Sequence, residues 1–185
     1  MMNRYFQLFL LPVTFWIFAD QSLAQTVQFP SHCAPDETVF LSAKMKKVIT
    51  SQKGISYKDS GKILSLCADK SKDPIGKLSY RFGPLGNVEL EQVATSTSKF
   101  GYADLDVGIK VSEAAYFFYV GEFSYYVTVA GGMGSGISLK VFQGKKKVVN
   151  LFSGNDDGID FVMPFTVSAQ SVLAARKPKH PIDAD

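Results

Sequence analysis

The chain is poor in the side chains that most enzyme chemistry uses. Its 185 residues include two histidines, two cysteines and one tryptophan. His32 lies near one end and His180 near the other, so a Ser–His or Cys–His nucleophile would depend on a residue at an extremity of the chain. A zinc centre takes three or four Cys, His, Asp or Glu ligands at workable spacing, and no such spacing occurs. Neither a metal nor a cofactor is expected. Basic charge is equally thin: the net charge is +3, with both signs mixed along the chain, where a nucleic-acid partner would call for a concentrated basic face. Beyond residue 20 no apolar run approaches the roughly twenty residues of a membrane-spanning helix. Long segments with helical period and low-complexity tracts are also missing.

The first residues do hold an apolar run. Arg4 supplies a positive charge, and residues 5–19 ("YFQLFLLPVTFWIFA") have the length and character of a signal-peptide core. Ser22 and Ala24 are small residues at the positions that signal peptidase reads, which puts the expected cut between Ala24 and Gln25. The organisation expected is a signal peptide over 1–24, one β domain over 25–175 and a proline-broken, flexible tail over 176–185. The product is expected in the periplasm or secreted, with no spanning segment in the mature chain. In such an oxidising compartment Cys33 and Cys67 are expected to form a disulfide.

From Thr38 onward, short runs rich in β-branched and aromatic residues alternate with Gly, Asn, Asp and Ser, the pattern of strands and turns. "ETVFLSA", "KKVITSQ" and "ILSLCAD" read as strands, with "KGISYKDSGK" a polar loop between the last two. Both faces of "ILSLCAD" are apolar, which suggests a central strand. "KLSYRFGPLGNVELEQV" reads as a hairpin, its outgoing face carrying Leu78, Tyr80 and Phe82, and Glu89 and Glu91 sharing a face of the return. "ATSTSKFGYAD" reads as a connector. "VGIKV", "AAYFFYV", "EFSYYVTVA", "ISLKVFQ", "KKVVNLF" and "DFVMPFTV" read as six further strands, and "SAQSVLAARK" as a short helix. The fold class expected is all-β: a small antiparallel β-barrel or β-sandwich in one domain.

The stretch "LSYRFGPLGNVELE" after "KILSLCADKS", together with "YFFYVGEFSYYVTVAGGMGSGISLKVFQGKKKVVNL", resembles a group of small exported bacterial β-proteins with a Tyr-Arg-Phe-Gly…Val-Glu-Leu hairpin. No activity is established for that group. The resemblance implies export and a β fold and carries over no catalytic residue. The group often has a further cysteine in a Phe-Ser-Cys context on its first strand, where this chain has "VFLSA".

Few residues invite a functional reading. Gly131, Gly132, Met133, Gly134, Ser135 and Gly136 form a glycine cluster between two strands. A dinucleotide fingerprint would need a helix after it, and a phosphate loop a Lys-Ser or Lys-Thr where Ile137 stands. The cluster therefore reads as a hairpin loop, and as a candidate interaction loop because bare backbone approaches a partner closely. Exported lysozyme inhibitors use a protruding Ser-Gly loop in this way; "GSGIS" shares the Ser-Gly but has Ile137 where a Tyr is expected. Glu89 and Glu91 could serve glycoside hydrolysis as paired carboxylates, but the residue pattern favours a surface hairpin on which Arg81 pairs with one of them across strands. "SGNDDGID" lacks the bidentate Glu of a calcium loop and reads as a turn, and "KKK" at 145–147 as a charged guard on an edge. The function expected is non-catalytic binding of an envelope or secreted protein, as an inhibitor or immunity-type partner of a hydrolase. The alternatives are a barrel that binds a small molecule, lipid or glycan among Tyr116, Phe118, Phe123 and Tyr125, and a glycan-cleaving enzyme using Glu89 and Glu91.

Overall fold

The computed structural model describes residues 29–70, 73–106, 111–132, 135–154, 160–163 and 168–180. Among them there is no helix. Eleven strands, β1 (Glu37–Ser51), β2 (Gly54–Asp69), β3 (Lys77–Gly83), β4 (Leu90–Thr95), β5 (Phe100–Asp106), β6 (Val111–Val120), β7 (Phe123–Gly132), β8 (Gly136–Gln143), β9 (Lys146–Ser153), β10 (Phe161–Val162) and β11 (Leu173–Ala175), form a single sheet. Its order is β11-β5-β6-β7-β8-β9-β1-β2-β3-β4, with β10 beside β1. Every pairing is antiparallel except that of β11 with β5.

Neighbouring strands rotate by roughly 20–25°, so a path of this length curls. Strand β4 ends the path and β5 lies next to its other end, yet only residues 96–99 separate them. The two ends are thus drawn together, and the sheet is nearly closed into a barrel. Closure lets one face of almost every strand meet the others. Leu64, Leu66 and Ala68 of β2, Tyr80 of β3, Tyr116 and Phe118 of β6, Val127 of β7 and Leu139 of β8 join one buried cluster. Rings from distant strands touch across it: Phe40 with Tyr116 at 5.8 Å and Tyr80 with Phe118 at 4.9 Å. Burial of each such side chain contributes about 1.5–3 kcal/mol.

The expected strands at β6, β7, β8 and β9 are present, and β2 is central, with both faces buried through Cys67. Its outer face is covered by the segment that precedes β1. There the Ser42 hydroxyl donates to the Pro30 carbonyl at 2.9 Å, the His32 N–H donates to Ser65 Oγ at 3.0 Å, and Cys33 is disulfide-bonded to Cys67.

Several local readings are corrected. "KGISYKDSGK" is strand from Gly54 onward and belongs to β2; its alternating Ile55 and Tyr57 are strand positions among polar residues. The connector after β4 contains β5, whose Tyr102 pairs with Tyr116. Around Val172 the chain makes a turn and then the short β11, where a helix is expected, because its backbone bonds to the start of β5. Of residues 176–185, read from sequence as a flexible tail, the described part is 176–180, and its Lys179 and His180 meet a second aromatic cluster outside the barrel. His180 stacks on Phe142 at 4.7 Å, and the Lys179 ammonium sits 4.0 Å from the Tyr119 ring centre. Of the candidate strand "VGIKV" only Val111 is described, and of "DFVMPFTV" only the part through Met163.

Candidate functional site

The longest strands explain the most exposed surface. β1 and β2 are buried only where they cross the barrel. Between Met45–Lys62 and Lys46–Asp59 their register shifts, leaving Ser60 and Gly61 without partners on β1. Gly61 has φ +68°, a conformation that glycine adopts without a side-chain clash. The Ser60 hydroxyl donates to the Met45 carbonyl at 2.5 Å, and the Gly61 N–H donates to Asp59 Oδ1 at 2.8 Å. A bulge of this kind bends a ribbon and increases its twist. Beyond it the two strands continue as an arm.

On the side of β9, the arm's backbone pairing among the described residues is limited to Lys46–Phe152 and Lys47–Leu151, and the Lys46 ammonium pairs with Asp160 at 2.6 Å. Strand β3 joins β2 only from Ile63. Residues 48–51 and 54–59 therefore present open backbone edges among the described residues. The arm's apolar side chains lack cover as well: Ile49 is 44% exposed, Ile55 64% and Tyr57 49%, with Tyr57 touching the Phe152 ring at 5.4 Å. From Lys46 to Asp59 the arm carries four lysines and one carboxylate. Lys47 and Lys58 are direct cross-strand partners, both exposed, and neither has an ion pair among the described residues. Like charges placed opposite one another are unfavourable in a sheet.

The hairpin charges named from sequence form a different kind of structure. Arg81 Nε donates to Glu91 Oε1 at 2.9 Å, so the cross-strand pair is present. Its NH1 donates to the His32 carbonyl at 3.0 Å, and NH1 and NH2 both reach Glu37. The Glu37 side chain is almost wholly buried and also takes the Ala34 N–H and the Lys77 ammonium. Burial alone would raise its carboxyl, but the hydrogen bonds from Arg81, Ala34 and Lys77, with the Arg81 charge, bring it down to about 2. Hydrogen bonds to the Glu37 carboxylate in turn raise Arg81. Glu89 precedes β4 and bonds Lys62 at 2.5 Å. Both glutamates of the proposed catalytic pair are thus engaged with cations. Cys33, Glu37 and Cys67 offer ligand atoms within 4.8 Å of one another, but the two sulfurs are bonded to each other and Glu37 is held by Arg81 and Lys77.

The glycine cluster is shorter as a loop than it reads. Gly131 and Gly132 belong to β7, paired with Ser112 and Val111, and Gly136 opens β8 opposite Ala130. Met133 and Gly134 lie outside the described residues, as do residues 155–159 of "SGNDDGID". The space at Gly136 is filled by the Phe152 ring and the Ser153 carbonyl, so a side chain there would collide with both.

The four aromatic residues named for a barrel interior divide between its ends. Phe123 and Tyr125 line an apolar pocket of about 340 Å³ at the arm end, with Tyr80, Phe82 and Leu90. Phe118 stacks on Tyr125 at 4.9 Å behind it. Tyr116 lines grooves toward the other end of β7, beside Tyr102. The Tyr102 hydroxyl donates to Asp104, a bond that with burial raises the phenol to about 12. The arm and the Glu37–Arg81 pair are absent from the sequence reading; the uninterrupted alternation through Ile55 and Tyr57 was the signal for the first. Comparison with protein-family models, curated proteins and solved structures finds no match.

Proposed function

We propose that the protein is a non-catalytic binding module that presents the β1–β2 arm to a protein partner. One observation carries this reading: a two-stranded ribbon continues past a bulge with open edges, exposed Ile49, Ile55 and Tyr57, and the facing cations Lys47 and Lys58, which have no ion pair among the described residues. A partner with an acidic, apolar-lined cleft would relieve the lysine repulsion, cover the apolar side chains and meet the open edges. The cleft of a glycan hydrolase fits that description, because its chemistry places two carboxylates across the cleft. The inhibitor or immunity-type role expected from sequence belongs with this chemistry, with the arm in place of the glycine loop as the contacting element.

The test is inhibition of purified retaining and inverting muramidases by the oxidised protein, at low and high salt. The expected result is saturable inhibition that weakens as salt rises and is lost in Lys47→Glu/Lys58→Glu and in Ile55→Asp. Inhibition that survives both variants but disappears when residues 131–136 are replaced by a short turn would return the contact to the glycine loop. No inhibition of any such enzyme would remove the hydrolase partner.

A further inference from the structure

The antiparallel succession of strands puts alternate connections at the same end of the barrel. The β1–β2 arm, the β3–β4 connection over 84–89, the β6–β7 turn at 121–122 and the β8–β9 turn at 144–145 all fall at one end. Contacts join them there. The Gly144 N–H donates to the Glu122 carbonyl at 3.2 Å, Lys62 at the base of the arm bonds Glu89, and Glu89 and Val148 border the same pocket.

This end differs from the rest of the surface in two ways. Seven large apolar side chains are exposed among the described residues, and six of them stand here: Ile49, Ile55 and Tyr57 on the arm, Leu85 and Val88 between β3 and β4, and Val148 near the start of β9. Exposed apolar groups gathered in one region mark a contact surface. The second difference is charge. Within residues 47–62, 84–89, 121–122 and 144–148, seven lysines meet three carboxylates, an excess of four charges in a chain whose net charge is +3. All three carboxylates are engaged: Asp59 accepts the Gly61 N–H, Glu89 the Lys62 ammonium and Glu122 the Gln143 amide. Lys145 and Lys146 are exposed at their turn.

We propose that this end of the barrel docks on an anionic lipid bilayer, with the apolar tips set among the headgroups and the lysines against lipid phosphates. Lysines gain from the negative potential of such a surface, and apolar side chains and a tyrosine ring settle at its interface. The apolar residues come from three separate connections. A fluid interface accepts each of them where it stands, whereas a folded partner would need a matching pocket for each. The contact goes beyond the protein partner proposed for the arm and does not rest on it. The arm belongs to both surfaces, so a bilayer and that partner would exclude one another.

The experiment co-sediments the purified oxidised protein with vesicles of phosphatidylcholine alone and of phosphatidylcholine with about one third phosphatidylglycerol, at low and at physiological salt. The expected result is binding about tenfold or more tighter to the anionic vesicles, weakening as salt rises. Lys145→Glu/Lys146→Glu and Leu85→Asp, both off the arm, are each expected to weaken that binding about tenfold. Val93→Ser, at the exposed apolar position away from this end, is expected to leave it unchanged. A lipid bearing a nitroxide should broaden the methyl signals of Leu85, Val88 and Val148 ahead of those of the core residues Leu66 and Leu78. Equal binding to both vesicles, displacement by polyglutamate without methyl broadening by the nitroxide lipid, or unchanged binding in both turn variants would each overturn the proposal. Should a variant not fold, the lipid comparison and the broadening pattern of the unaltered chain decide it. Hydrolase inhibition through the arm is expected to survive both turn variants, so loss of vesicle binding there leaves that reading standing.

Discussion

Glu37 and Arg81 meet beneath the segment that precedes β1, 44 residues apart in sequence and joined through both guanidinium NH groups. The contact ties β1 to β3 across the intervening β2, and Arg81 extends it to the His32 carbonyl and to Glu91. The same few residues therefore hold the covering segment, the central strand and the β3–β4 hairpin in one arrangement.

Acid should undo this arrangement first. The Glu37 carboxyl falls from the ordinary 4.5 to about 2 in the folded chain. A depressed carboxylate stabilises the fold above its unfolded value, and that contribution disappears as pH falls from about 4.5 to about 2. The amount is on the order of 3 kcal/mol. Denaturant midpoints measured from pH 7 to pH 2 should drop in that window, and Glu37→Gln should flatten the drop while lowering stability at pH 7 by about 3 kcal/mol. An unchanged pH profile in Glu37→Gln would show that other carboxylates govern acid unfolding.

The disulfide is expected to act on the same segment. Cys33 and Cys67 are 34 residues apart, and closing a loop of that size stabilises by about 4 kcal/mol in the chain-entropy treatment. A Cys33→Ala/Cys67→Ala variant should lose stability on that scale. Amide exchange should accelerate at Ser65 and at position 67, whose outer face the segment covers, ahead of β7 and β8. Uniform acceleration across the sheet would mean that the segment and the barrel unfold as one unit.

Glycine is needed here for space as much as for turning. At Gly136 a Cβ would strike the Phe152 ring and the Ser153 carbonyl, and at Gly101 the Phe117 ring that lies over it. Neither position has the left-handed backbone of Gly61. Gly136→Ala and Gly101→Ala should each cost about 1–3 kcal/mol through overpacking, read as a fall in urea midpoint with an unchanged slope. A neutral Gly136→Ala would show that β9 yields readily at Phe152.

The barrel strands were legible because alternation is local: β7 reads apolar and polar in turn from Phe123 to Ala130, and its partners do the same. β5 was hidden because Gly101 and Ala103 give it little apolar signal, and β11 because three residues are too few for any period. The arm was hidden by composition, since Lys58, Asp59 and Gly61 give a strand the look of a loop. Of the site chemistry, the Arg81–Glu91 pair follows from hairpin register. Its bond to Glu37 depends on which strands are brought together by the closure of the whole sheet.

Lys47 and Lys58 provide the sharpest contrast between stability and binding. They sit directly opposite on the arm without a counter-ion among the described residues. Replacing Lys58 by Glu turns a repulsive cross-strand pair into an attractive one, expected to stabilise by about 0.2–1 kcal/mol. If the pair is kept for an acidic partner, the same change should weaken that partner at least tenfold, chiefly at low salt where surface charges are least screened. Lys53→Glu, at the turn and off the pair, should leave stability unchanged and weaken binding less. Thermal melts alongside inhibition curves separate these effects: a Lys58→Glu variant that gained stability and lost no inhibition would show that the lysine pair has no part in recognition.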